Sequence, residues 1–140
     1  EGPGKDWAVF ELGQNEITGK LPGAAQGFLD VSFKKPRRGI SLRITGYGRD
    51  NDDLDRNFAQ QTNTGKLQSV GSIFFGTTML THTVDTMGGN SGSTIINDKT
   101  QEVIGIHTHG GCHSSGGSNK GTLISTHSKL REAIKACLSK

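Results

Sequence analysis

The chain has 140 residues, which is the size of one ordinary domain. Hydrophobic residues make up only 31% and glycine is frequent at 21 residues beside 3 prolines, which excludes collagen and favours a β-protein with many tight turns. The net charge is only +3, and the basic run 34–38 (KKPRR) fits a solvated turn better than the alternative of a nucleic-acid patch. No apolar run approaches the roughly 18 residues of a membrane span. We therefore expect neither nucleic acid nor membrane as a partner.

Alternating and β-branched stretches predict short strands along most of the chain. In chain order they are Trp7–Leu12, Phe28–Phe33, Ile40–Ile44, Leu67–Phe75, Met79–Val84, Ser93–Ile96, Val103–Thr108 and Leu123–Ser125. Polar stretches predict surface loops at Arg49–Asn63 and His113–Asn119. The first loop holds four aspartates but lacks the Asp-x-Asp-x-Asp-Gly frame of a calcium loop, so no metal site is predicted.

The pattern changes at Ser128, where apolar residues begin to recur at helical spacing. Leu130, Ile134 and Leu138 follow one another every four residues, with Cys137 beside them. This spacing predicts an amphipathic C-terminal helix. Seven or eight strands followed by one helix predict an all-β barrel or sandwich with a terminal helix.

The sharpest local motif is 85–93 (DTMGGNSGS), which places Ser91 in a glycine-rich turn between two predicted strands. Acyl transfer needs a serine Oγ exposed on a rigid turn, with backbone N–H groups aimed at the developing oxyanion. Glycine allows that close approach because it has no Cβ. A glycine- and serine-rich hairpin without chemistry stays open as the alternative, because such patterns are common.

Other segments accompany the motif and together resemble a known family. The stretches 85–93 and 102–111 (EVIGIHTHGG) are similar to the glutamyl-endopeptidase (V8-like) branch of the chymotrypsin-fold serine proteases. The segment 6–12 (DWAVFEL) resembles that family's strand beginning with the triad aspartate, and 44–48 (ITGYG) resembles the strand that opens its second barrel. The resemblance implies an all-β, chymotrypsin-like double β-barrel. Residues 1–35 would form the end of the first barrel and the crossing, 36–126 the second barrel, and 127–140 the helix.

The resemblance also implies a role for each matching residue. Ser91 would be the nucleophile, the N–H groups of Gly89 and Ser91 would form the oxyanion hole, and Asp6 would orient the catalytic imidazole. The alternative for Asp6 is a turn aspartate at a strand start. The implied reaction is hydrolysis of a peptide bond in a protein or peptide substrate through an acyl-enzyme, without a cofactor.

The substrate pocket implied by the resemblance is lined by six residues: Asp85, Thr86, His107, Thr108, His109 and Gly110. His107 and Thr86 would receive a glutamate side chain, since an imidazole N–H and a hydroxyl can donate to a carboxylate. Asp85 gives the competing hypothesis, because a carboxylate in the pocket would select Arg or Lys. A core histidine bonded to a backbone carbonyl is the simpler alternative for His107.

The family's catalytic histidine lies upstream of the aspartate, yet all five histidines of this chain follow Asp6. We therefore expect a separate N-terminal light chain from the same precursor to supply it, because half a barrel leaves strand edges and apolar faces uncovered. The alternative is an inactive protease-like binding module. A carbohydrate- or cell-surface-binding β-domain is a third, supported only by the glycine-rich loops.

The cysteines and the cellular location complete the expectations. We predict a Cys112–Cys137 disulfide that ties the helix, with Cys137 on its inward side, to the loop after the pocket strand. It would close a loop of about 24 residues and contribute roughly 3 kcal/mol. The alternative is a bridge from one cysteine to the missing chain. A disulfide implies an oxidising setting, so a secreted, extracellular protein is expected, with any targeting segment removed.

Overall fold

The structure, a computed structural model, describes residues 2–49, 55, 57, 59–113 and 115–139. This part of the chain contains the strands β1 Ser41–Gly46, β2 Gln61–Val70, β3 Met79–His82, β4 Thr94–Asn97, β5 Val103–His109, β6 Cys112–His113, β7 Gly116–Gly117 and β8 Asn119–Leu123. It also contains the helices α1 Pro22–Gln26 and α2 Ser128–Leu138, and a 3-10 turn at Ile73–Phe75.

Six of these strands close into one barrel. Their order around it is β1-β2-β3-β8-β5-β4, and every neighbouring pair is antiparallel. Strands β6 and β7 form a small separate hairpin. The prediction of an all-β fold with a terminal helix is confirmed, and barrel closure removes the strand edges that an open sheet would expose.

The barrel interior follows from the alternation of apolar residues along the strands. In β1 every second residue is buried, so that Leu42 and Ile44 point inward. They join an inner core that also contains Leu67, Leu80, Val84, Ile95, Ile104 and Leu123. Side chains from all six barrel strands, or from the residues that directly follow them, therefore meet inside the barrel.

A second core lies on the outer face of β4 and β5. Ile96 follows the inward-pointing Ile95, and Val103 precedes the inward-pointing Ile104, so both point outward. They pack with Ile124 and Leu130. Partly buried residues of the N-terminal segment, Trp7, Val9, Val31 and Phe33, cover this outer core. The segment is thus fixed to the barrel by apolar contacts on one of its faces.

Helix α2 begins as predicted and docks by its first half only. It starts at Ser128 because the Nδ1 atom of His127 accepts a hydrogen bond from the Leu130 N–H at 3.2 Å, which caps the first turn. Leu130 is 1% exposed and Ile134 packs beside it, whereas Leu138 is 71% exposed. Cys137 is exposed as well, so its predicted inward position is wrong.

Two predicted strands in the N-terminal segment are wrong. Trp7–Leu12 forms no ladder with another described strand, because the barrel closes without it. Phe28–Phe33 contributes only an isolated bridge between Val31 and Val103, in which the Ser32 N–H donates to Val103 O at 2.9 Å. An apolar run predicts burial, but a strand also needs a partner for its backbone groups.

The remaining predicted boundaries shift by a few residues. The strands predicted at Ile40–Ile44, Met79–Val84, Ser93–Ile96 and Val103–Thr108 are present, with ends moved by one or two residues. The strand predicted at Leu67–Phe75 instead runs from Gln61 to Val70, ahead of the 3-10 turn at Ile73–Phe75. The last strand ends at Leu123, two residues earlier than predicted.

Both predicted loops contain strand residues. Residues 61–63 of the first belong to β2, Asp55 is exposed, and Asp50, Asp52 and Asp53 lie outside the described residues. The second loop contains His113 of β6 and all of β7, which pair as a hairpin. Within the described part of the chain, no helix has the length and apolarity needed to cross a membrane.

Candidate active site

The motif 85–93 forms the connection from β3 to β4 and is held in place by backbone hydrogen bonds. Within the turn, the Ser93 N–H donates to Asn90 O at 3.0 Å. Directly after the serine the turn is bonded to β5 twice, since the Gly92 N–H donates to His107 O at 2.8 Å and the His107 N–H donates to Ser93 O at 2.9 Å. The serine turn is therefore fixed to one strand of the closed barrel.

Ser91 is exposed at the tip of this turn. Its Oγ donates a hydrogen bond to the carbonyl oxygen of Thr108 on β5 at 3.2 Å. An accessible hydroxyl on a rigid turn is the arrangement that nucleophilic attack on a carbonyl requires.

Gly89 has a backbone conformation that favours glycine, with φ of +96°. A Cβ at this position would lie 3.2 Å from the Tyr47 carbonyl oxygen. Neither the Gly89 N–H nor the Ser91 N–H donates to an acceptor among the described residues. Both N–H groups can therefore donate to an oxyanion formed near Ser91.

Asp6 is anchored to β8 through its backbone carbonyl. Its carbonyl oxygen accepts a hydrogen bond from Thr122 Oγ1 at 2.9 Å. Thr122 on β8 is paired with Ile106 on β5, two residues before the Thr108 carbonyl that binds Ser91. The Asp6 side chain is exposed, and no described residue bonds to its carboxylate. The structure thus anchors Asp6 and Ser91 on adjacent strands but assembles no triad.

The five histidines are all described, and none bonds to Ser91 or Asp6. His82 and His107 bond to each other, His109 Nδ1 lies 2.9 Å from Thr108 Oγ1, and His127 caps α2. His113 is exposed on β6.

The pair formed by His82 and His107 is a buried polar contact. The rings are 0% and 3% exposed, and His82 Nε2 lies 3.1 Å from His107 Nδ1. Burial, and next the neighbouring His107, lowers the pKa of His82 to about 4. Burial and then the nearby His109 lower the pKa of His107. Both rings are therefore neutral at pH 7, and one donates to the other. Among the described residues, no group of three His, Cys, Asp or Glu side chains could hold a metal ion.

Asn119 is a site residue that the sequence analysis missed. It is 2% exposed, and its Oδ1 accepts from the N–H groups of Gly111 and Cys112 at 2.8 and 3.0 Å. Its Nδ2 donates to Val84 O at 2.8 Å and to Thr86 Oγ1 at 3.0 Å. Asn119 thereby ties the end of β5 to the start of the serine motif. An asparagine at the end of a polar loop has many roles in turns, so its type and position gave no usable signal.

The other predicted pocket residues fall on two sides of the site. Thr108 and His109 follow His107 at the end of β5, and Gly110 comes directly after the strand. Asn119 links Thr86 to Gly111 and Cys112. Asp85 is exposed, and together with Thr86 it lines a small cavity of about 80 Å³ beside β1 and β2. No residue of β5 lines that cavity, so Asp85 and His107 border different spaces.

The predicted disulfide is not formed, and both cysteines are free thiols. Cys112 is half-buried, with its sulfur 3.7 Å from Gly117 O. Cys137 lies on the exposed outer half of α2, so it does not face the barrel. The prediction of a Cys112–Cys137 bond is therefore wrong for this structure, and the alternative bridge to another chain stays a prediction.

Known proteins resemble the chain in fold over most of its length. A Glu endopeptidase in complex with MPD is 24% identical with a TM-score of 0.66, and the match covers 84% of this chain and 50% of that one. Kallikrein-related peptidase 10 is 14% identical with a TM-score of 0.54, covering 77% and 56%. The scabies mite inactivated protease paralogue S-I1 has the same identity and TM-score, 14% and 0.54, covering 76% and 50%. The chain spans about half the length of these proteins.

A protein-family model also matches the chain. None of the curated protein sequences matches it. The family model described as Trypsin matches residues 3–134, which is nearly the whole chain. With its closed barrel, terminal helix and exposed serine turn, the chain belongs to the trypsin family of chymotrypsin-fold serine proteases.

Proposed function

We propose that this chain is the serine-bearing part of an endopeptidase that hydrolyses peptide bonds through an acyl-enzyme on Ser91. The observation that carries the proposal is the exposed Ser91 Oγ on a turn bonded to β5, beside N–H groups of Gly89 and Ser91 that have no described acceptor. Ser91 Oγ attacks the scissile carbonyl, and the two N–H groups stabilise the oxyanion. The C–N bond then breaks as the histidine gives its proton to the leaving amine, and water hydrolyses the acyl-enzyme to free Ser91. Asp6 orients the histidine that accepts the proton from Ser91.

The proposal assigns the catalytic histidine to a separate N-terminal polypeptide. All five histidines of the chain have other contacts or lie exposed on β6, and none bonds to Ser91. The N-terminal segment packs on the barrel through Trp7 and Val9 but leaves the alternate residue Phe10 75% exposed. Ile17 and Phe28 are 94% and 84% exposed. Apolar side chains of this size favour cover by another polypeptide, and a first barrel would provide it.

Labelling with a serine-directed fluorophosphonate tests the proposal. We expect the 140-residue chain alone to label slowly, and to label rapidly at Ser91 once the histidine-bearing polypeptide is added. Ser91→Ala should lose the label and about 10⁶ in kcat, because the members of a triad act as a unit. Ser115→Ala, at an exposed serine outside the motif, is the matched control and should label normally. Rapid labelling of the lone chain would refute the second polypeptide, and label retained in Ser91→Ala would refute the nucleophile.

We further propose that the enzyme cleaves after glutamate. His107 Nδ1 bonds to His82, while its Nε2 has no partner among the described residues. If His82 donates from Nε2, His107 carries its proton on Nε2 and presents an N–H donor to a substrate carboxylate. The Thr86 hydroxyl accepts from Asn119 and keeps its own hydrogen available to the same carboxylate.

The competing specificity for Arg or Lys rests on Asp85. Asp85 lines the same small cavity as Thr86, and no residue of β5 lines it, so the cavity favours neither specificity. Peptides that differ only in the residue before the scissile bond, with Glu, Gln, Arg or Lys there, separate the two. Glu should exceed Gln, and His107→Leu should abolish that difference. Preference for Arg or Lys that is lost in Asp85→Ala would overturn the proposal.

A non-catalytic binding module is the second candidate, and one observation favours it. Asp6 and Ser91 are anchored on adjacent strands with no histidine bonded to either. If the chain never labels at Ser91, with or without other polypeptides from its source, this candidate replaces the enzyme. Secretion stays a prediction in both cases, and without the disulfide it rests on the family resemblance alone.

A further inference from the structure

A second cavity lies apart from the serine turn, where three segments of the chain meet. It has a volume of about 800 Å³ and lies between the N-terminal segment, the connection from β2 to β3, and the start of α2. Its polar and aromatic lining includes Lys5, Trp7, Thr126, His127, Ser128 and Lys129. We call this cavity the α2 cleft. Neither Asp6 nor Ser91 lines it, so it is distinct from the proposed active site.

The α2 cleft has a positive lining. Lys5 and Lys129 border it, no described carboxylate does, and neither lysine forms an ion pair with a described residue. The first turn of α2 also opens there, and it contains no acidic residue that would offset the positive end of the helix dipole. These charges favour a negatively charged ligand.

His127 provides an independent indication of a ligand. Its side chain lines the cleft and is 8% exposed. Because Nδ1 accepts from the Leu130 N–H, it carries no hydrogen, and the neutral ring holds its proton on Nε2. That Nε2–H has no acceptor among the described residues. Burial lowers the pKa of His127 and so favours this neutral form. This nitrogen is not one of the fully buried polar atoms without a partner, so it faces the open cleft and is available to donate to a ligand oxygen there.

Trp7 adds an apolar surface to the same cleft. Its ring meets the His127 ring edge to face, with centroids 5.3 Å apart. Phe74 and Phe75, which directly precede the lining residue Gly76 in the chain, are 98% and 85% exposed. A volume of about 800 Å³ far exceeds that of an inorganic anion. The cleft therefore fits a ligand that combines a negative charge with apolar groups.

We propose that the α2 cleft binds an acidic peptide segment of another protein. One carboxylate would accept hydrogen bonds from His127 Nε2 and the ammonium group of Lys129, and a neighbouring apolar side chain would pack on Trp7. This binding site does not depend on the proposed peptidase activity, because its lining contains no residue of the catalytic site.

Trp7 is the only tryptophan of the chain, so its fluorescence reports on the cleft directly. The probe is the peptide acetyl-Asp-Leu-Asp-Leu-amide, titrated into the 140-residue chain at low salt. Aspartate is used instead of glutamate so that the probe does not suit the proposed glutamate pocket. We expect a saturable change in Trp7 emission, and about tenfold weaker binding of the matched peptide acetyl-Asn-Leu-Asn-Leu-amide.

Three variants locate the binding. Lys129→Gln and His127→Ser should each weaken the acidic peptide about three- to tenfold, which corresponds to about 0.7 to 1.4 kcal/mol. Serine still caps a helix, so His127→Ser removes the imidazole donor while α2 keeps its cap. Lys99→Gln, at an exposed lysine outside the cleft, is the control and should bind normally.

Several results would overturn the proposal. The absence of a saturable change up to millimolar peptide would do so, as would equal affinities for the two peptides. Unchanged binding in Lys129→Gln would place the peptide elsewhere, and this exposed substitution should not disturb folding. If potassium sulfate produced the same emission change and bound as tightly as the peptide, the site would be one for free anions.

Discussion

Replacing Asn119 by alanine should destabilise the barrel strongly. The side chain is 2% exposed and makes four hydrogen bonds to Gly111, Cys112, Val84 and Thr86. Alanine removes all four at once and leaves two N–H groups and one carbonyl without a partner. The end of β5 and the start of the serine motif would then lose their shared connection.

The expected magnitude follows from the groups left unpaired. A buried donor or acceptor without a partner costs about 1–3 kcal/mol, and partial access of water would reduce the total. We therefore expect Asn119→Ala to lower the free energy of unfolding by about 3–5 kcal/mol.

Urea unfolding followed by circular dichroism measures this loss, with the slope m checked for constancy. Asn63→Ala, at an exposed asparagine on β2, is the matched control and should change the free energy of unfolding by less than about 0.5 kcal/mol. A loss below about 1 kcal/mol in Asn119→Ala would refute the role of Asn119 as the connection between the end of β5 and the start of the serine motif.

Three further predictions concern His82, the docking of α2 and the two cysteines. Burial lowers the folded-state pKa of His82 to about 4, against the usual 6.5 of a histidine, so on acidification the unfolded chain binds the proton first. The contribution of neutral His82 to the free energy of unfolding is therefore fully present above pH 6.5, and it falls by about 3 kcal/mol toward pH 4. His82→Gln should flatten this pH dependence in urea titrations at several pH values. Leu130→Ala should cost about 2–4 kcal/mol in thermal or urea unfolding, whereas Leu138→Ala should cost less than about 0.5, and equal effects would contradict the docking of α2 by its first half. Ellman's reagent should detect two thiols in the unreduced, denatured chain. A count of zero thiols would instead support the predicted disulfide.

Local patterns in the sequence predicted much of the barrel and the helix. Alternation in β1 and the apolar repeat from Ser128 report which face of an element is buried, and that information lies within a few neighbouring residues. The glycine-rich turn around Ser91 was also visible, because its conformation depends on glycine at Gly89, where φ is +96°. The prediction of an exposed serine between two strands needed nothing beyond these residues.

Other features depended on which distant residues the barrel brings together. The predicted strand Trp7–Leu12 has no ladder because the six strands close without it, and an apolar run does not specify a partner. The prediction for Cys137 was wrong because only the first turns of α2 meet the outer core.

The buried contacts of the site were likewise decided by tertiary structure. His82 and His107 are 25 positions apart, and Asn119 bonds to residues 33 and 35 positions before it. Their sequence signals are those of ordinary polar residues in strands and loops. Their hydrogen bonds exist because β3, β8 and β5 are neighbours in the closed barrel. This arrangement buries the side chains away from water and places their hydrogen-bond partners beside them.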